Sequence, residues 1–221
     1  MAMVGRVQNE AIKEMLKVYF IFGSINCPKK PEDVLTEAIN GGVTIFQFRE
    51  KGQDALKGAE KQALALKLQK ICQDQQIPFI VNDDVDLALE IGADGVHIGQ
   101  DDENVATVRE RIGADKILGV SAHSLEEVET ALLCGADYLG IGPVFETKTK
   151  EDAKAAAGVT LIQTLRQSGF TTPIVGIGGI NADNAATVIE AGADGVAVIT
   201  AISLAEEITE AARKINNVVK C

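Results

Sequence analysis

The sequence predicts a single (β/α)8 TIM barrel with an extra N-terminal helix, taking in residues 1–221 as one catalytic domain. Three observations carry this. The chain has 221 residues, within the ~200 to 250 that one such barrel occupies. Eight short apolar runs alternate with helical stretches along its whole length, the pattern of a parallel sheet with right-handed crossovers. Polar residues gather just after those runs, where a barrel of this kind has its mouth.

In chain order, residues 9–17 have the apolar spacing of an amphipathic helix, with Ile12, Met15 and Leu16 on one side. Strands are expected at VYFIFG (18–23), TIFQFR (44–49), PFIVND (78–83), GVHIG (95–99), KILGVS (116–121), YLGIGP (138–143), PIVGIG (173–178) and GVAVIT (195–200). Helical periodicity follows each, as in Leu125, Val128, Ala131 and Leu132. Three joints echo one another: IGADGVHIG, CGADYLGIG and AGADGVAVI, whose glycines Gly92, Gly135 and Gly192 are 43 and 57 residues apart. Each glycine is placed to end a helix at positive φ. The unequal intervals mark repeated β–α joints rather than a solenoid.

Composition narrows the function. The hydrophobic fraction is 46%, Trp is absent and the formal net charge is −11. That charge argues against nucleic acid or an anionic membrane as partner. An anionic substrate would need a local basic cluster working against the overall field. Cys27, Cys72, Cys134 and Cys221 lack CxxC spacing and read as reduced thiols of a cytoplasmic protein. No signal peptide is evident, and VYFIFG is too short to span a bilayer.

The strand ends carry the chemistry. In VTIFQFREK (43–51), alternation puts Gln47, Arg49 and Lys51 on one face and Phe46 and Phe48 on the other. The first face should line the mouth, and the phenylalanines should pack under the helices. Strand 3 adds Asn82 and Asp83, strand 4 Gln100, Asp101 and Asp102, and strand 5 Ser121 and His123. Strand 6 runs into Thr147, Lys148, Thr149 and Lys150, strand 7 into Gly178 and Gly179, strand 8 into Ile199 and Thr200. Asp84 reads as a helix N-cap, and Ser124 with Glu127 as a capping box. His97 reads as a core histidine and His123 as a surface one. GIGGI (176–180) with the following NADN, a helix start, has the character of a phosphate loop. Asp83 and Asp102, from neighbouring strands, suit Mg2+ bridging a diphosphate.

Together QFREK, VNDD, GVHIGQDD, GVSAHS, GIGPVFETKTK, VGIGGI and GADGVAVITAI closely resemble the thiamine phosphate synthase (thiamine phosphate pyrophosphorylase) family, in order and over nearly the whole chain. The resemblance implies a transferase of thiamine biosynthesis with two small-molecule substrates. It would join 4-amino-2-methyl-5-hydroxymethylpyrimidine diphosphate to 4-methyl-5-(2-phosphoethyl)thiazole, releasing diphosphate by a dissociative path. It further implies that Gln47, Arg49, Lys51, Asn82, Ser121 and Lys150 hold the pyrimidine diphosphate. Thr147, Thr149, Gly179, Ile199 and Thr200 would hold the thiazole phosphate. Phe48, Glu50 and Lys148 fall inside the same substrate-binding segments, and Asp83 and Asp102 would bind one Mg2+ per subunit. The catalytic assignments are Ser121, Lys150, Arg49 and Lys51, with residues 147–158 as a lid. Glu146 stands where the family often has proline, and Thr200 where it often has serine. A homo-oligomer is compatible with all of this. The competing reading is a relative of thiazole tautomerases with His123 as its acid–base residue, which gives Lys51, Asp83 and Asp102 no task.

Overall fold

The computed structural model describes residues 9–147 and 158–220. In order along the chain the elements are α1 (Asn9–Leu16), β1 (Val18–Phe22), α2 (Pro31–Asn40), β2 (Ile45–Phe48), α3 (Gly58–Asp74), β3 (Phe79–Asn82), α4 (Val85–Glu90), β4 (Gly95–Ile98) and α5 (Val105–Ile112). They continue with β5 (Ile117–Ala122), α6 (Leu125–Leu133), β6 (Tyr138–Ile141), α7 (Thr160–Gln167), β7 (Ile174–Ile177), α8 (Ala185–Glu190), β8 (Gly195–Val198), α9 (Thr200–Ser203) and α10 (Ile208–Val219). The eight strands pair in chain order and close, β8 against β1, into a barrel whose neighbours are parallel. All eight expected strands are present, each within two residues of its expected bounds.

Strand alternation divides the core in two. Phe20, Phe22, Phe46, Phe48 and Phe79 point outward and pack beneath the helices with Leu35, Leu68 and Val85. Tyr19, Ile45, Ile80, Ile117, Tyr138, Val175 and Ala197 point inward and fill the barrel. The amphipathic α1 closes the N-terminal floor: its Ile12 and Leu16 join the inner cluster, while Lys13 pairs outward with Glu10. The Thr44 hydroxyl donates to the Met15 carbonyl and accepts from Val18 N–H, both at 2.8 Å, tying α1 to the starts of β1 and β2.

The Gly-Ala-Asp joints prove to be clasps at this floor. Their glycines take φ of +66°, +91° and +104°, as the helix-end reading requires. Each following aspartate accepts an N–H at the start of an earlier strand: Asp94 from Phe79, Asp137 from Leu118 and Asp194 from Ile174, all at 2.8 Å. Arg109 completes the second clasp, bonding Asp137 at 2.5 Å and the Gly135 carbonyl at 2.9 Å. Arg166 completes the third, bonding Asp194 at 2.7 Å and the Gly192 carbonyl at 2.8 Å. Their remaining N–H groups go to the carbonyls of Gly113 and Lys116, and of Phe170 and Thr172. Every such bond has an ionised donor, which makes it stronger than its neutral counterpart.

Candidate active site

At the opposite end the strand termini surround a cavity of about 550 Å³. Arg49, Lys51, Asn82, Asp83, Asp102, Ser121, Thr147, Gly179, Ile199 and Thr200 all line it. Ten of the residues expected at the strand ends thus meet at one mouth.

Asp83 closes β3 with a left-handed backbone, φ +62°, which aspartate tolerates better than most residues. Its carboxylate meets the Lys51 ammonium at 2.7 Å, and the same ammonium lies 3.8 Å from Asp102. Asp102 also accepts the Gly99 N–H at 2.7 Å. The two carboxyl groups interact directly. Burial, then the Asp102 carboxyl, push Asp83 above the ordinary carboxylate range, against the pull of Lys51. Burial pushes Asp102 the same way, but contact with Asp83, the Gly99 N–H and Lys51 outweigh it and hold Asp102 low. One cation shared by two carboxylates leaves negative charge in a partly buried place. That donor set fits a hard divalent cation with oxygen ligands. Among the described residues no group of three or more His, Cys, Asp or Glu side chains could hold a metal ion.

Asp84, one residue on, does different work. Its Oδ1 accepts the Leu87 N–H at 2.9 Å, capping α4, and its Oδ2 meets Lys61 at 2.7 Å. Ser124 caps α6 as expected, accepting from Glu127 N–H at 3.2 Å, while Glu127 returns to His123 N–H rather than to the cap itself.

Across the cavity Gly178 and Gly179 turn the chain at φ +101° and +64°. A Cβ at Gly179 would lie 2.5 Å from the Glu146 carbonyl oxygen, so this turn demands glycine twice over. The NADN stretch is not yet helix. Asn184 folds back to the Asn181 N–H and the Gly179 carbonyl, bracing the turn, and α8 begins at Ala185. The short α9 then starts at Thr200, directly behind the cavity wall.

Three residues expected in the substrate-binding segments do not line this cavity. Gln47 lies on the inward face but a layer below the cavity, 2% exposed, where its amide donates to the Tyr19 hydroxyl at 2.8 Å. Phe48 faces the helices and stacks on Phe79, because its neighbour Arg49 has the inward position. Glu50 is spent on the loops, accepting from Ser24 N–H, the Ser24 hydroxyl and Leu56 N–H. Lys148, Thr149 and Lys150, and the lid apart from Thr147 and Gly158, lie outside the described residues.

Two histidines that also had a purely structural reading reach the cavity. His97 is buried and bonded, as a core histidine should be, yet it also reaches the cavity wall. His123 lines the cavity rather than the outer surface, and its Nδ1 lies 2.6 Å from the Gly142 carbonyl. Strand alternation carries the signal for His97, two residues before Gly99 on the inward face.

Comparison with known proteins shows the family. A family model described as thiamine monophosphate synthase matches residues 18–202. A thiamine-phosphate synthase of Bacillus cereus (strain 03BB102) is 57% identical over 212 residues, 96% of each chain. One of Geobacillus thermodenitrificans (strain NG80-2) is 57% identical over 217 residues, 98% of each. The solved thiamine phosphate pyrophosphorylase from Pyrococcus furiosus has a TM-score of 0.83 at 33% identity, covering 95% of this chain and 98% of that one. A native KDPGal structure, at 17% identity and TM-score 0.71, shares the fold alone.

Proposed function

The chain belongs to the thiamine-phosphate synthase family, a transferase of thiamine biosynthesis, and on that premise we propose how its barrel mouth divides the work. The pyrimidine diphosphate lies along the side formed by Arg49, Lys51, Asn82 and Ser121. The thiazole phosphate lies against Gly179, Ile199, Thr200 and Thr147. The observation that carries this division is the pair Asp83 and Asp102 sharing Lys51 on one side of the cavity, with the glycine turn on the other.

Asp83 and Asp102 would hold Mg2+. When bound there, the ion would supply positive charge to the diphosphate and so make it a better leaving group. Arg49 and Lys51 add fixed positive charge where the leaving group gathers negative charge, and they need no reorganisation at the moment of bond breaking. Lys150 belongs to the same set in this reading. The amino-substituted pyrimidine ring stabilises the methylene cation left behind, and the thiazole nitrogen captures it. No residue has to remove a proton for this bond to form, so the walls act chiefly by positioning two substrates in one cavity.

We place the reaction in the cytoplasm, a reading supported by the free thiols of Cys27, Cys72 and Cys134. Among the described residues no helix is long and apolar enough to cross a membrane. The deciding experiment follows diphosphate release from both substrates together, with Mg2+ and with a chelator. Release that needs both substrates and the metal is expected. Turnover of the thiazole phosphate alone, indifferent to chelator, would defeat the proposal.

A further inference from the structure

A chain of hydrogen bonds runs from the cavity wall into the barrel. Ser121 Oγ lies 3.0 Å from His97 Nε2, and His97 Nδ1 lies 3.0 Å from the Tyr138 hydroxyl. That hydroxyl lies 2.8 Å from the Tyr19 hydroxyl, to which Gln47 donates at 2.8 Å. Both tyrosines are essentially inaccessible to solvent, at 1% and 0% exposure. The fold makes room for the column. A Cβ at Gly119 would lie 2.3 Å from the Tyr138 hydroxyl and 2.4 Å from His97 Nδ1. At Gly140 it would press on the same imidazole. Two inward strand positions are thus left empty for two rings.

Counting protons gives the column a direction. Burial pushes both phenols far above their ordinary range, so each keeps its one proton. Because Gln47 donates to Tyr19, the Tyr19 proton goes to Tyr138 and the Tyr138 proton goes to His97 Nδ1. With a neutral imidazole, His97 then carries its one proton on Nε2 and donates it to Ser121 Oγ. The serine proton is left to point into the cavity. The reverse order would consume that proton on His97 and turn only lone pairs toward a diphosphate, whose oxygens are acceptors.

We propose that Gln47, Tyr19, Tyr138 and His97 are positioning residues that fix Ser121 as a hydrogen-bond donor to the substrate. This rests on the reading above in which Ser121 contacts the pyrimidine diphosphate.

The chain has only two histidines, which makes the direction measurable by nitrogen NMR of histidine-labelled protein. A carbonyl can only accept, so His123 must carry its proton on Nδ1 toward Gly142. His97 should show the opposite tautomer, with Nδ1 unprotonated, and a His123→Asn sample assigns the signals. A proton on His97 Nδ1 would overturn the direction.

Kinetics test the consequence. Tyr138→Phe keeps the ring and breaks the column, and should lower kcat/KM for the pyrimidine diphosphate about 10-fold, the scale of one misdirected hydrogen bond. The KM for the thiazole phosphate should hold. In a Ser121→Ala background the same substitution should cost nothing further. Tyr19→Phe provides a second break should Tyr138→Phe fold poorly. A full penalty persisting without Ser121 would defeat the column alone. Wild-type kinetics in Ser121→Ala itself would defeat both the column's task and the assignment of Ser121 to the substrate.

Discussion

At the floor of the barrel Arg166 holds one aspartate, Asp194, and spends its other donors on backbone carbonyls. At the mouth Lys51 stands between two aspartates, Asp83 and Asp102, with one of them on a left-handed backbone. Both clusters pair aspartates with a cation. The floor clasp is closed on itself, its Arg and Asp side chains 22% and 17% exposed, and nothing in it remains to be neutralised. The mouth cluster has one carboxylate too many until another cation arrives. Saturation marks the structural end of this barrel, and incomplete neutralisation marks the chemical end.

The largest effects should come from the unbalanced pair. Asp83→Asn and Asp102→Asn are each expected to lower Mg2+-dependent diphosphate release by on the order of 100-fold or more, since an amide replaces a charged ligand of a hard cation. Melting temperatures measured without metal should stay level or rise for Asp83→Asn, whose charge burial disfavours, and fall only slightly for Asp102→Asn, whose charge the Gly99 N–H and Lys51 favour. A marked drop in melting temperature would mean that the mouth is built like the floor.

Next comes Lys51→Ala. Turnover should fall on the order of 100-fold with the loss of a donor to the leaving group. Without metal the variant should also melt earlier than wild type, and Mg2+ should restore more of its stability than it adds to wild type. Equal Mg2+ responses in the two proteins would show that the lysine and the metal do not compensate the same charge.

The floor should answer in the opposite currency. Arg166→Ala leaves Asp194 half-served and is expected to cost about 3 kcal/mol of stability, read from denaturant titration, while kcat in the cold stays near wild type. A fall in kcat at temperatures where the variant is fully folded would contradict the division between the two ends.

The smallest effect belongs to Asp84, adjacent to Asp83 but committed to structure. Asp84→Ala should lose about 1 kcal/mol, the usual cost of an N-cap, with Mg2+ dependence intact. Burial pushes this carboxyl up, but Lys61 and the Leu87 N–H outweigh it and hold it below 3.8. A lowered folded pKa means the unfolded chain binds the proton more readily. The contribution is therefore complete above 3.8 and disappears as pH falls through the lower folded value. Melting curves of wild type and variant should converge in strong acid. If Asp84→Ala abolished Mg2+ dependence instead, the roles at the end of β3 would be off by one residue.

What could be read beforehand followed strand period. Alternation put Arg49 on the inward face, position at strand ends put Asn82, Ser121 and Ile199 at the mouth, and the N-caps at Asp84 and Ser124 held because they are local. Depth along a strand was not legible. Gln47 and Arg49 share a face, and only the level of the barrel floor tells that one is buried beneath the cavity. Phe48 and Glu50 came in as neighbours in a motif, and alternation alone already argued against the phenylalanine. The Arg109 and Arg166 clasps and the tyrosine–histidine column join residues 28 to 119 positions apart. No local pattern announces such partners. The glycines at 119 and 140 were visible, but the rings they accommodate were not.

The helix that closes the floor has a consequence in time rather than in space. With α1 seated, the hydroxyl protons of Tyr19 and Tyr138 have no route to water from below. Whenever α1 lifts, solvent reaches the inner layer and those protons can exchange. α1 is described over 8 residues, and helices at the edge of a fold open locally well before a domain unfolds. Hydroxyl exchange in the barrel interior should therefore keep the clock of one helix at the far end from the chemistry, and substitutions at Ile12 or Leu16 should make that clock run faster.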